Sequence, residues 1–491
     1  MNYKSDFHYL YENLPFQMEA PVRPSIPDNW VNIRDFGGVG DGIVLNTEAF
    51  RSAIAALTTQ GGGHLVVPEG IWLTGPVTLE SNIDFHITPR AMVLFSPDKD
   101  LYNIVDTVFE GLDTRRCISP VNADGAVNVS ITGGGTIDGS GDAWRSVRRG
   151  KATDAEWERI VASGGFIDEK DNIWYPDMSY FRGYKMCGSY NVPQGLESDD
   201  EWEDVKTYLR PVLVSFKNCT NVLLENILFQ NSPSWNIHPL MCKNVIINNI
   251  TVRNPWYAKN SDGLDIDSCE GVVVTDSTFD VGNDAICLKS GRDEDGRRRG
   301  RPCRNVIIDN CTAFHGYGGF VIGSEMSGGV YNVSVSGCSF FGTDAGLRFK
   351  SCLGRGGVVE NIHIRDIVMH NIQTEPLLFD MYYRRKYLLN VDNTAIPVFR
   401  NIKVKNIICR GASRAMYING IPDSNISDVL IEDCVIFSGR GAEIRNVSSL
   451  VLKNISVCQK DGNGFTFSGC PDLEVTGCKD ANGNIAPVQP A

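Results

Sequence analysis

Ten segments of this chain repeat one pattern, and few architectures can satisfy it. They open at Asn221, Asn244, Gly271, Asn305, Asn332, Asn361, Asn401, Asp428, Ser449 and Asp472, in steps of 21 to 40 residues. Counting the opening residue as zero, offsets +1 and +3 are apolar in all ten, the period-2 mark of a strand with one buried face. Offset +6 holds Ile, Cys or Ser, and offset +8 is apolar in nine of ten, Asp480 being the exception. A polar bend lies between +4 and +6. Each unit therefore reads as strand, short bend, second strand and variable loop. Units of this length stack as an all-β, right-handed parallel β-helix. A leucine-rich repeat would need leucines at fixed offsets and a helical half, and neither is present.

Composition narrows the class of ligand. The chain has 491 residues, with 46 Lys+Arg against 59 Asp+Glu, a formal charge of −13. That balance removes the electrostatic drive for nucleic acid or an anionic membrane surface. No apolar run is long enough to span a bilayer. The first 30 residues lack an apolar signal-like core, which fits either a cytoplasmic protein or a mature form whose signal has been removed. The 15 cysteines show no CxxC pair and no zinc-like spacing. Cys311, Cys338, Cys434 and Cys478 share offset +6 with isoleucines and read as small core hydrophobes. Asn-x-Ser/Thr triplets at Asn128, Asn218, Asn249, Asn310 and Asn332 fall at repeat offsets, so they read as coil turns in preference to glycosylation sites.

Residues 1–30 form an extended lead, and 31–491 a single β-helix domain. Phe50, Ile54 and Leu57 behind Asn46 predict a capped amphipathic helix covering the open end of the solenoid. Residues 63–87 and the stretch near Asn128 read as early coils. Residues 140–208 lose the repeat and form a surface excursion, helical around 153–163. Its Trp144, Trp174, Tyr175 and Trp202 either stack on sugars or pack the excursion down.

Chemistry concentrates where polar residues interrupt consecutive coils, because equal offsets on neighbouring coils form columns about 4.8 Å apart. The interruptions are NSDGLDID, VGNDAICLKSG, HGYGGFVIGSEMSGG and LRFKS. They place Asp262, Asn283 and Asp284, Tyr317, and Arg348 with Lys350 on four consecutive units, with Tyr317 beside Asn283. Carboxylates facing one cleft can protonate a leaving oxygen and activate water, and cations alongside suit a uronate carboxylate. His238, after Trp235, reads either as lining a sugar subsite or as packed structure. The run Arg292 to Arg301 is either a solvated loop or a cap that holds a chain end.

These segments resemble glycoside hydrolase family 28, the polygalacturonases, whose four motifs read NTD, DD, GHG and RxK in this order. The resemblance covers about residues 31–480. KSGRDEDGRRRGRP and GGFVIGSEMSGG are more similar to the bacterial exo-acting branch than to fungal endo-enzymes. It implies an inverting hydrolase of α-linked galacturonic acid in pectin, acting from a chain end, outside the cytoplasm and without metal or cofactor. The partner is then a pectic polysaccharide or oligogalacturonide; oligomeric state is left open. By position, Asp262 and Asp284 become the water-activating carboxylates. Arg348 and Lys350 become the uronate-binding pair. His315, His238 and Arg292 are further candidate substrate contacts read from the residues and not from the resemblance.

Two positions depart from the family pattern. Asn283 stands where the family has its general acid, and Tyr317 where it has the GHG histidine, His315 lying two residues earlier. Three readings of Asn283 stand open: an inactivating change made to trap substrate, a natural site with Asp284 as acid and Asp262 as base, or a pectin-binding protein. Tyr317 points toward substituted or rhamnose-containing pectin. A calcium-dependent pectate lyase is the rival on the same fold, and the Arg-x-Lys after the carboxylate pair argues against it.

Overall fold

The repeat is built on corners that L-residues seldom form. The opening residue and offset +5 both take a left-handed backbone in all ten units, with φ from 50° to 70°. Asn and Asp tolerate this conformation and Gly is free of its cost, which is why these three residues fill most of both positions. A corner at each end fixes a strand of about five residues between them.

The computed structural model describes residues 7–12, 14–187, 191–383, 395–422 and 426–485. Residues 1–6 and 13 of the lead, 188–190 of the excursion and 486–491 of the domain lie outside the described residues. The chain divides into two compact units. One holds 23–265 and 280–283; the other holds 266–279 and 284–491 with 1–22.

In the first unit, parallel strands Gly63–Val67, Ile83–Ile87, Val127–Thr132, Thr220–Glu225 and Lys243–Asn248 pair in register. Beyond their corner run Ala91–Phe95, Thr136–Asp138, Leu228–Gln230 and Thr251–Arg253. A third column follows: Val77–Thr78, Val121–Asp124, Val214–Lys217 and Ile237–Leu240. Each coil thus has three strands, one more than the repeat pattern shows. In the second unit the third column is Asp284–Lys289, Gly318–Gly323, Ala345–Lys350, Leu377–Asp380 and Arg414–Asn419, all parallel. Both units are parallel β-helices, and right-handedness follows from the chirality of parallel crossovers.

Inward residues make the core. Offsets +1 and +3 are buried in the first nine repeat units, and the +6 column from Ile227 to Cys478 is buried throughout. All 15 cysteines are free thiols, 14 of them buried. Asparagines run beside this core as a ladder: Asn128 donates to Asn82, Asn221 to Asn128 and Asn244 to Asn221 at 2.9–3.1 Å. In the second unit a separate ladder runs from Asn332 to Asn305, Asn361 to Asn332 and Asn401 to Asn361 at 2.7–3.0 Å. Asn218, Asn249 and Asn310 also commit their amides, to Asp124, Asn226 and Asp276. The triplets serve the turns.

The end helix is Thr47–Thr59 and buries Phe50, Ile54 and Leu57. Asn46 occupies its N-cap position but does not cap through its side chain. That side chain accepts from Val39 N–H and donates to Val39, Val44 and Leu73 carbonyls, tying down the preceding loop. The excursion is helical at Asp154–Ala162, behind a capping box made by Thr153 and Glu156. Trp144, Trp174 and Tyr175 are buried, and Trp202 packs against the cluster around Trp144 and Leu209. Trp144, Trp174 and Tyr175 pack the excursion down, with Trp202 partly buried against it.

Candidate active site

Every member of the Asn260-Ser261-Asp262 motif has a fixed partner in the first unit. Asn260, left-handed at φ 55°, accepts at Oδ1 from Arg210 Nη2 at 3.0 Å. Arg210 is fully buried and also donates to Pro233 and Lys259 carbonyls. The Ser261 hydroxyl donates to the Ala258 carbonyl at 2.8 Å and accepts from Gly282 N–H at 3.1 Å. A Cβ on Gly282 would lie 2.7 Å from the Trp256 and Ala258 carbonyl oxygens, so only glycine fits. Asn283 then donates its amide to Asp262 Oδ1 at 2.7 Å. Asp262 itself is 2% exposed. An amide here reproduces the hydrogen bond a protonated carboxyl would give, without a proton to transfer.

The second unit holds Asp284 in a different way. It opens the strand Asp284–Lys289 and registers with Gly318, the residue after Tyr317. Lys350 Nζ donates to Asp284 Oδ2 at 2.7 Å, and Arg348 Nη1 lies 3.6 Å from Oδ1. Burial pushes the Asp284 carboxyl up, but Lys350, Arg348 and Lys289 together hold it below its ordinary range. Burial likewise works against the Lys350 charge, and Asp284 more than restores it, so that ammonium is held above its ordinary value. Both groups are charged in the unliganded protein. Arg348 also reaches the Tyr317 carbonyl at 3.5 Å and sits 5.8 Å from the Tyr383 ring centre. Tyr317 is half exposed, and burial with nearby Asp344 raises its phenol, making it a poor acid.

The remaining candidates have different settings. His238 is buried on Ile237–Leu240, edge-on to Trp235 at 5.2 Å, in register with Ser215. His315 is an exposed left-handed corner residue after the strand Thr312–Phe314. Arg292 is 2% exposed, 3.5 Å from Asp293, and its charge helps hold Glu325 well below its ordinary range. Its place is inside the protein, in an ion cluster with Lys289, Glu325 and Arg355. Downstream, Arg297 donates to the Gly354 and Arg355 carbonyls, so this run cross-links loops.

Sequence reasoning missed Arg210, Glu325 and Tyr383, whose partners come from distant segments. It also missed the hairpin Ile104–Phe109 and Leu112–Cys117. A signal for the hairpin exists: Glu110-Gly111, both at positive φ, separates two runs of six residues, as a two-residue hairpin turn requires. Among the described residues no three His, Cys, Asp or Glu side chains are grouped to hold a metal ion.

Asp284 and the Arg348-x-Lys350 pair lie on third-column strands of a parallel β-helix, and a pair of carboxylates is what glycoside hydrolysis requires. The sequence profile of glycosyl hydrolases family 28 matches residues 198–463. An exopolygalacturonase from Thermotoga maritima superposes with a TM-score of 0.76 and 34% identity, covering 91% of this chain and 95% of that one. The exo-poly-alpha-D-galacturonosidase of Dickeya chrysanthemi is 26% identical over 457 residues, 89% of this chain and 71% of that protein. A probable polygalacturonase of Vitis vinifera is 29% identical over 416 residues, 82% and 73% of the two chains. The chain belongs to family 28 of the glycosyl hydrolases.

Proposed function

We propose that the protein hydrolyses α-linked galacturonic acid in pectin, releasing it from a chain end with inversion, outside the cytoplasm. We take residues 31–491 as one β-helix domain for this purpose. The observation that carries the reading is the placement of Asp284 against Lys350 at 2.7 Å and Arg348 at 3.6 Å. A carboxylate held ionised by Lys350 and Arg348 can take a proton from water, and Arg348, a fifth exposed, can also receive a uronate carboxylate. Lys350 is the more buried of the pair and acts chiefly through Asp284. Asp262 is the second base, oriented by Asn283.

Because Asn283 cannot deliver a proton, turnover in this chain is slow, and the leaving oxygen takes its proton from solvent. The same amide favours a second reading, a pectin-binding protein that no longer turns over. Product analysis on polygalacturonate decides between them. Galacturonate released alone, without intermediate oligomers and with its anomeric configuration inverted by NMR, supports the exo-hydrolase. Binding without new reducing ends, in this chain and in Asn283→Asp alike, supports the binder. Unsaturated products abolished by a chelator would overturn both.

A further inference from the structure

In the second unit Lys350 shares its row of the sheet with another lysine. The strands Asp284–Lys289, Gly318–Gly323 and Ala345–Lys350 lie side by side, with Leu288 opposite Ile322 and Gly323 opposite Lys350. Lys289 and Lys350 therefore end their strands on either side of Gly323, two strand spacings or about 10 Å apart. Gly323 places no side chain between them. Its backbone, at φ 85°, would bring a Cβ to 2.4 Å from the Lys350 carbonyl oxygen. Both lysines are buried, so each needs a carboxylate.

Asp284 meets Lys350 at 2.7 Å, and Glu325 meets Lys289 at 3.3 Å. Glu325 is held in place from several sides. The Ser324 hydroxyl donates to Glu325 Oε1 at 3.1 Å, and the Glu325 carbonyl accepts from Ser290 N–H at 2.7 Å. Arg355 donates to the Ser324 carbonyl and hydroxyl at 3.0 and 3.3 Å. Burial pushes the Glu325 carboxyl up, but Lys289, Arg355, Arg292 and Lys350 together hold it well below its ordinary range. Neighbouring carboxylates have bonds of their own. Asp293 pairs with Arg355 and Arg292, and Asp267 accepts from the Ser268 hydroxyl. Asp380, opposite Lys350, accepts from Tyr382 N–H and the Asn419 amide. Glu325 is thus a fixed, buried negative charge within the field of both lysines. An enzyme that removes uronates from a chain end must also let each one go, and release limits the turnover of many enzymes.

We propose that Glu325 limits how tightly Arg348 and Lys350 hold a uronate carboxylate, by cancelling the field of Lys289 across the row. It is a positioning residue, acting through Lys289 and not by touching the sugar. The proposal rests on the pectin-hydrolase reading and adds the residue that sets affinity within it. A unit charge about 10 Å away, at an effective dielectric near 20, changes an affinity about tenfold. Calorimetric titration of the intact protein with trigalacturonate reads the effect. Glu325→Gln binds about tenfold tighter and Lys289→Met about tenfold weaker. The double variant, with the net charge of the unchanged protein, returns to its affinity. If one single variant does not fold, the other and the double variant still fix the sign and its reversal. The fully methyl-esterified trimer carries no uronate charge and does not follow this order. Weaker binding by Glu325→Gln, the result of lost packing alone, overturns the proposal. So does a double variant that departs from the unchanged affinity, or an esterified trimer that follows the same order. Binding in any other order overturns the proposal alone; no binding by any of the four proteins overturns the pectin reading with it.

Discussion

Asp262 and Asp284 are both 2% exposed, yet the protein holds them by opposite means. Asp262 accepts from a neutral amide, Asn283, in a loop pinned by Arg210 and Ser261. Asp284 lies against two cations, one of them at 2.7 Å. The contrast shows that a carboxylate's chemical role is set by its neighbours and not by the motif that carries it. Cations hold the Asp284 carboxyl below its ordinary range. An amide can aim Asp262 but has no acidic proton to share with it, so under the proposed hydrolysis the step that needs an acid is the one weakened.

Restoring the acid breaks the contrast most strongly. Asn283→Asp puts two carboxyls at hydrogen-bond distance, where both cannot ionise together, and one keeps its proton near neutral pH. Initial rates of reducing-end release on polygalacturonate should rise about 10²–10⁴-fold, the usual worth of general acid catalysis. An unchanged rate would mean that protonation of the leaving group already has another source.

The two halves should also differ in what they contribute to folding. Lys350→Met strands a buried carboxylate and should cost about 3–5 kcal/mol in urea denaturation. Asn283→Ala removes one hydrogen bond to a buried acceptor and should cost about 1–3 kcal/mol. Equal costs would remove the distinction between ionic and amide anchoring.

Titration sharpens the ionic half. Asp284 is depressed in the folded state, so its contribution is complete above the unfolded carboxylate value of about 4 and fades as pH falls through the folded value. Lys350 is raised, so its contribution is complete below about 10 and fades as pH climbs past the folded value. The stability gap between the protein and Lys350→Met, read as urea midpoints against pH, should be flat from about pH 5 to 10 and shrink at both ends. A gap that grows in acid would contradict the charge state assigned to Asp284. The smallest effect belongs to the core of the second unit. Burial raises the Cys311 thiol far from its ordinary value and pushes Cys434 up to about 12, so an alkylating reagent should leave both unmodified in the native protein. Labelling at neutral pH, read by mass spectrometry, would show that the column opens.

Much of this was legible in the chain. The column of Ile227, Cys311, Cys338 and Ile455 appeared as an offset before it appeared as a core, because a strand writes its burial at period 2 and a solenoid repeats it. Asp262, Asn283, Asp284, Arg348 and Lys350 were found because they interrupt that pattern on consecutive units. The third strand was hidden, since its length and spacing vary with the loops around it. The basic run that holds Arg292 gave no sign of its burial beside Asp293.

By itself, then, the sequence determined the solenoid, its left-handed corners, its apolar columns and the identity of the residues that break them. These are local properties, carried by backbone preference and by the polarity of each position. Only the tertiary structure decided that Lys350 spends its charge on Asp284, that Asn283 aims Asp262, and that a hairpin at 104–117 lines a cavity with His238. Those outcomes depend on which distant groups meet at hydrogen-bond distance, and that is settled by packing between coils, which no single segment encodes.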